Sequence, residues 1–144
     1  MATYNKFQGF VGYLGLAAVN CNTDTFKVYL SNAAPSASLD DVKADLAEIS
    51  GGNGYTAGGV DIVNTYAEAS GTGTLSVGLG SGDQVWTAAG GAIAQFRYAV
   101  VFDDTVASPV TDPLVCWHDY GSAVDVASGE TFTWNSDGTL FTIS

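Results

Sequence analysis

From Ile93 to Phe102 the chain alternates in the manner of an extended strand. Phe96, Tyr98, Val100 and Phe102 fall on one face, and Gln95, Arg97, Ala99 and Val101 on the other. The second face starts polar and is apolar by Val101, so the strand is expected to sink deeper as it runs. Gly90-Gly91 opens it and Asp103-Asp104 closes it, both ordinary strand boundaries. This pattern predicts a central strand of an antiparallel sheet. Thr23 to Ser31 alternates too, with Phe26, Val28 and Leu30 inward and Lys27 and Tyr29 outward, as in a strand with one solvated face.

Further strands are predicted at Val60–Ser70, Gly73–Leu79, Val85–Thr87, Leu114–Tyr120, Thr131–Asn135 and Thr139–Ile143. Asn135-Ser136-Asp137-Gly138 has the composition of a hairpin turn. Asn32 to Ser36 is turn chemistry around Pro35, and Asp103 to Asp112 reads as a loop closed by Pro113. Seven or eight short strands with close turn spacing predict a mainly β fold: an antiparallel β-sandwich or jelly roll with one or two short helices. The chain shows no internal repeat, linker or disordered tract, so residues 1–144 are expected to form one β-rich domain.

Two stretches carry helical spacing instead. Phe7, Phe10, Val11 and Leu14 make an i, i+3, i+4, i+7 stripe within Lys6–Ala18. Gly9, Gly12 and Gly15 each cost such a helix about 1 kcal/mol relative to Ala, so it needs something to pack on. Its own core is the favoured support and a neighbouring subunit the other, which makes these four residues the candidate interface. Ser38 to Ser50 is the clearer helix. Ser38 caps it with Asp41 three residues on, Leu39, Val42, Leu46 and Ile49 form its stripe, and Gly51-Gly52 ends it.

Length and composition mostly exclude. A chain of 144 residues can bury roughly 70% of its unfolded surface, so neither a disulfide nor a metal is required for stability. Fifteen acidic residues stand against four basic ones, for a net charge of -11. Lys6, Lys27, Lys43 and Arg97 are scattered, whereas gripping a phosphate backbone takes clustered cations, so contact with nucleic acid is not expected. Cys21 and Cys116 are far apart with no metal-ligand spacing; buried free thiols are the expected state, and a disulfide between them is the alternative. The apolar run from Phe7 to Val19 is broken by glycines and preceded only by Lys6, which does not read as a signal peptide. Nor does any run approach the ~20 apolar residues of a membrane span. The chain is expected to be made and kept in the cytoplasm, with no membrane partner.

Candidate chemistry is thin. His118, the one histidine, lies two residues from Cys116 on the same strand face, which sets their side chains about 7 Å apart, too far for direct proton transfer. A surface or interface histidine is expected. Asp103, Asp104 and Asp112 lack the regular spacing of a calcium loop and read as solvated loop acids. The glycine run Gly51–Gly59 lacks both the Asp of a calcium repeat and the Gly-Lys-Ser/Thr of a phosphate loop, leaving a structural turn. Trp86, Trp117, Trp134, Phe96 and Tyr98 could line a sugar platform, but strand aromatics more often fill a core. No catalytic residue, cofactor site or metal site is expected, and the chain does not read as an enzyme.

Several of these stretches together resemble a known family. They are Lys6-Phe7 with Phe10, Thr25-Phe26-Lys27-Val28-Tyr29-Leu30-Ser31-Asn32-Ala33-Ala34-Pro35, Ala44-Asp45-Leu46-Ala47-Glu48-Ile49, and Gly52-Asn53-Gly54-Tyr55 with Gly58-Gly59. Phe96-Arg97-Tyr98-Ala99-Val100, Trp117-His118-Asp119-Tyr120-Gly121 and Gly129-Glu130-Thr131-Phe132-Thr133 continue it over nearly the whole chain. The set resembles small virion structural proteins of tailed bacteriophages, some of which look like capsid decoration (cement) proteins. The resemblance implies a non-enzymatic protein of the virion head exterior, made in the host cytoplasm. Its implied partners are the major capsid protein and further copies of itself in a homo-oligomer, a trimer being one such arrangement. A tail or baseplate component, or a receptor-binding module, is the alternative. Ordered termini at Met1 and Ser144 would suit a protein held by neighbours. Gly9, Gly12 and Gly15 depart from the more regular helix expected of relatives.

Overall fold

The computed structural model describes residues 2–69, 71–79, 83–135 and 139–143. The turn predicted at Asn135–Gly138 and the expected order of Met1 and Ser144 lie outside the described residues. Within them, the long alternating segment becomes β7 (Ile93–Asp103), the middle strand of a five-stranded antiparallel sheet. One neighbour is β2 (Phe26–Ser31), with β3 (Val60–Ile62) beyond it. The other is β8 (Leu114–Val126), with β1 (Thr3–Lys6) at the far edge.

A second, three-stranded sheet runs β10 (Thr139–Ile143), β5 (Thr74–Leu79), β4 (Asn64–Ala69). A two-stranded ribbon pairs β6 (Gln84–Thr87) with β9 (Thr131–Trp134). Val77, Leu140, Phe141, Trp86, Phe132 and Trp134 from these smaller sheets meet Phe26, Val28, Leu30, Phe96, Val101 and Cys116 of the large one in a continuous core. The architecture is a mainly β, antiparallel, sandwich-like fold, as the strand pattern predicts.

The large sheet is buried on its other face as well. Phe7, Tyr29, Leu46, Tyr98, Val100, Phe102, Leu114 and Trp117 form a second core there. The outward face expected of Thr23–Ser31 is therefore not solvated: Tyr29 and Ser31 are fully buried. Val101, toward which the strand is expected to sink, is fully buried in the main core. An alternating sequence cannot distinguish a face covered by water from one covered by another part of the chain.

That cover is the stretch predicted as the clearer helix. Ser38–Ser50 contains only a 3-10 turn at Lys43–Asp45; the remainder lies across the sheet as an irregular strap. Sheet groups pin it at intervals. The Tyr29 hydroxyl donates to the Leu46 carbonyl at 3.3 Å, the Ser31 hydroxyl to the Ala47 carbonyl at 2.7 Å, and Ile49 N–H to the Leu30 carbonyl at 3.0 Å. Its acids close local turns rather than cap a helix. Asp40 accepts from Ser36 N–H at 2.7 Å, and Asp45 accepts from Asp41 and Val42 N–H at 3.0 and 3.1 Å. Turn-forming Ser and Asp compete with the helix for the same backbone donors, and here the tertiary bonds decide. Leu39, assigned to the helical stripe, is left 80% exposed.

Three further expectations change. Val60–Ser70 is two strands, with β3 in the large sheet and β4 in the small one, so the chain changes sheets at Val63. β8 runs well past Tyr120, to Val126. The α-helix of the N-terminal segment, α1, is shorter than predicted at both ends, Gln8–Gly15: Lys6 is taken up in β1, and the chain leaves the helix at Ala17, whose φ is 54°. The glycine run does form a turn. Gly52 and Tyr55 exchange N–H···O bonds at 2.7 and 3.0 Å around Asn53 and Gly54, whose φ values are 52° and 94°. A Cβ on Gly54 would collide with the Thr87 carbonyl oxygen, so only glycine fits this close approach.

Candidate interaction surface

The N-terminal stripe does not sit on one surface. Phe7 precedes α1 and points into the second core, its ring 4.5 Å from that of Trp117. Phe10 enters the main core, 5.1 Å from the Phe141 ring, and Leu14 packs half-buried against the same cluster. Val11 faces outward and is 51% exposed. Tyr13, outside the predicted stripe, is the other buried helical residue; its hydroxyl donates to the Asp41 carboxylate on the strap. That contact accounts for Gly9, where a Cβ would collide with Asp41. Gly12 and Gly15 have open space around them. The helix is thus anchored on both cores and exposes only a narrow face.

What stays exposed beside it is apolar. Leu16, just past α1, is 70% exposed. Between the end of α1 and the small sheet, Leu14, Ala17, Val19, Asn20, Cys21, Tyr66 and Leu75 line an open cleft of about 260 Å³. Val63 and Tyr66 add exposed apolar area along the β3–β4 corner and on β4, an edge strand of the small sheet. An edge strand with unpaired backbone groups is a template for pairing with another chain.

The residues weighed for chemistry are held in structural roles. His118 is buried, not at the surface as expected: Trp134 Nε1–H donates to its Nδ1 at 3.2 Å, and Tyr4 closes over it at a ring distance of 5.7 Å. Adjacent Asp119 points away to form a two-pronged pair with Arg97 on β7, at 2.7 and 2.9 Å, and also accepts from Gly121 N–H at 2.7 Å. The Arg97 bond holds its carboxyl below the ordinary carboxylate range. Cys21 and Cys116 are free and buried, as expected, and burial pushes the Cys21 thiol up to about 11. Trp86, Trp117, Trp134, Phe96 and Tyr98 are all core residues.

Two features of the site region were not legible as side-chain chemistry. Glu48 gathers a network under the strap: it accepts from the Tyr55 hydroxyl at 2.6 Å and Gly58 N–H at 2.8 Å and pairs with Lys43 at 3.1 Å. Lys43 in turn sits over the Tyr29 ring at 5.0 Å, a cation–π contact. Asp103, expected in solvent, is completely buried at the end of β7. Asp104 beside it does reach the surface, where it pairs with Lys27 at 2.8 Å. Among the described residues no three His, Cys, Asp or Glu side chains are grouped to hold a metal ion, and no helix is long and apolar enough to cross a membrane.

No protein-family model, no curated protein and no solved structure matches the chain.

Proposed function

We propose that the protein is a non-enzymatic structural component of a tailed-bacteriophage virion, a capsid decoration protein of the head exterior. The observation that carries this reading is the resemblance of its framework stretches to that family over nearly the whole chain. The placement of the same residues supports it. Phe26, Tyr29, Leu46, Tyr55, Tyr98, Trp117 and Phe132 are all buried in the fold, and His118, Asp119 and Glu48 are occupied in structural hydrogen bonds. Such a protein works through contacts with the major capsid protein and with copies of itself. Val11, Leu16, Val63 and Tyr66 are exposed apolar positions available for those contacts.

The alternative, a tail or baseplate component or receptor-binding module, would be favoured by exposed aromatics clustered in end loops. The exposed aromatics among the described residues, Tyr4 and Tyr66, instead lie on strands β1 and β4. Labelling the protein in purified phage particles, followed by electron microscopy, separates the readings. Label distributed over the head supports the decoration role, label on the tail supports the alternative, and particles lacking the protein overturn both.

A further inference from the structure

Two strand edges stay open, and each carries a charge without a partner. β1 ends the five-stranded sheet on one side. Phe7 N–H donates to the Val115 carbonyl at 3.2 Å. By the alternation of an antiparallel ladder, Thr3 and Asn5 then turn their backbone groups toward Asp119 and Trp117 of β8. The N–H and C=O groups of Tyr4 and Lys6 therefore point away from the sheet, and among the described residues nothing bonds to them. The strap closes this edge only further on, where Gln8 N–H donates to the Ala37 carbonyl at 2.8 Å. Tyr4 and Lys6 share one face of β1, and both are exposed.

β4 is an open edge of the three-stranded sheet. It pairs with β5 from Asn64 to Ala69 without a bulge, and among the described residues no strand lies on its other side. It has neither proline nor lysine, the usual guards of an exposed edge. Tyr66 and Glu68 stand opposite Val77 and Leu75 and share their face, the side on which the cleft opens. Glu68 is exposed and, among the described residues, in no salt bridge.

Charge decides which edges fit each other. Lys27, Lys43 and Arg97 are engaged by Asp104, Glu48 and Asp119 at 2.8, 3.1 and 2.7 Å. That leaves Lys6 as the one cation in no salt bridge among the described residues. Of the other open strands, β6, β9 and β10 carry no charged residue, and Asp61 of β3 already lies 3.7 Å from Lys27. An edge lysine disfavours pairing with a strand that offers it no counter-charge. β4 is the edge that offers one.

We propose that β4 of one copy takes up β1 of a second copy, in the parallel register that sets Lys6 of the second copy against Glu68. The same register sets Tyr4 of the second copy against Tyr66, at the mouth of the apolar cleft. These are the two exposed aromatic residues noted above, so one contact covers both. Each copy offers β4 to one neighbour and β1 to another, a head-to-tail contact that closes into a ring or grows as a filament. The contact specifies the self-association in the virion reading, on which it rests. It forms in solution, however, so its absence would leave the particle-labelling result standing.

Sedimentation of the intact chain over a rising concentration series is expected to show association. Lys6→Glu and Glu68→Lys, both at exposed positions, should melt like wild type and each associate at least roughly tenfold more weakly, because like charges then meet. Mixed in equal amounts, the two variants should associate again, since Lys6 of one meets Glu68 of the other. A wild type that stays monomeric overturns the proposal, as does a mixture that stays monomeric. Either variant associating as wild type does also overturns it, and points to β4 pairing with its own copy or to another surface.

Carbodiimide coupling tests the same contact on the unaltered sequence. The reagent activates a carboxylate, a neighbouring amine displaces it as the urea, and an amide remains. In a mixture of isotopically light and heavy chains, peptide mass spectrometry is expected to find Lys6 of one chain joined to Glu68 of the other. Lys6 joined only to other carboxylates, or only within its own chain, overturns the proposal even if a variant fails to fold.

Discussion

Phe96 and Tyr98, two residues apart on the central strand, point to opposite faces of the five-stranded sheet. Phe96 meets the Phe132 ring at 4.7 Å in the main core, while Tyr98 belongs to the second core with Val100 and Phe102. Regular alternation would place them on the same face. The cause is a break in register: Phe96 pairs with Val124, but Tyr98 pairs with Asp119, so β8 carries three more residues than β7 across that interval. Arg97, between them, reaches Asp119 where the bulge begins. A bulge of this kind bends the strand and re-aims its side chains.

Because both faces are covered, truncation should be costly on either. Phe96→Ala, in the main core, is expected to lower stability by about 3–5 kcal/mol and Val100→Ala, in the second core, by about 1.5–3 kcal/mol, read from urea unfolding. A negligible effect for Val100→Ala would mean that its face is open to solvent after all.

The N-terminal segment makes a sharper test, since its residues divide between core and surface. Phe10→Asp should abolish cooperative melting, because it places a charge in the main core. Val11→Asp should melt like wild type. If α1 contacts a neighbouring copy or the capsid, Val11→Asp will also lose self-association or head binding, measured by sedimentation and by binding to undecorated heads. Normal binding by Val11→Asp would remove the exposed face of α1 from any interface.

Glycines one turn apart in α1 should respond with opposite sign. Gly12→Ala meets open space and is expected to stabilise by about 0.5–1 kcal/mol through helix propensity. Gly9→Ala would force the Asp41 carboxylate off the Tyr13 hydroxyl, so the same gain should be cancelled or reversed. Equal stabilisation at the two sites would show that Asp41 moves aside freely.

Acid should reveal the Arg97–Asp119 pair. The Asp119 carboxyl is held below its unfolded value, so its contribution is present above the ordinary carboxylate range and disappears as pH falls through the folded value. Asp119→Asn is therefore expected to melt below wild type near neutral pH, with the gap closing below about pH 4. Both side chains are partly exposed, so the gap should be small and should narrow with added salt. Asp103 works in the opposite sense: its raised value makes the fold lose stability as pH climbs from about 4 to about 7. A gap that widened in acid would contradict the assignment to Asp119.

The amino-acid sequence by itself determined the fold class, the central strand and most strand positions, because alternation and glycine turns are local signals. It also marked Trp86, Trp117, Trp134, Phe96, Tyr98 and both cysteines as buried, since large apolar groups leave water wherever the fold allows. What covers a face is not a local property. The tertiary structure decided that Ser38–Ser50 lies as a strap, because bonds from Tyr29, Ser31 and Leu30 outcompete the helix its spacing suggests. It decided that Phe7 and Phe10 separate into two cores, and that a bulge opposite Arg97 reverses the phase of β7. The burial of Asp103 belongs to the same class. Adjacent aspartates at a strand end look solvated in sequence, and only the packing of the preceding turn closes one of them from water.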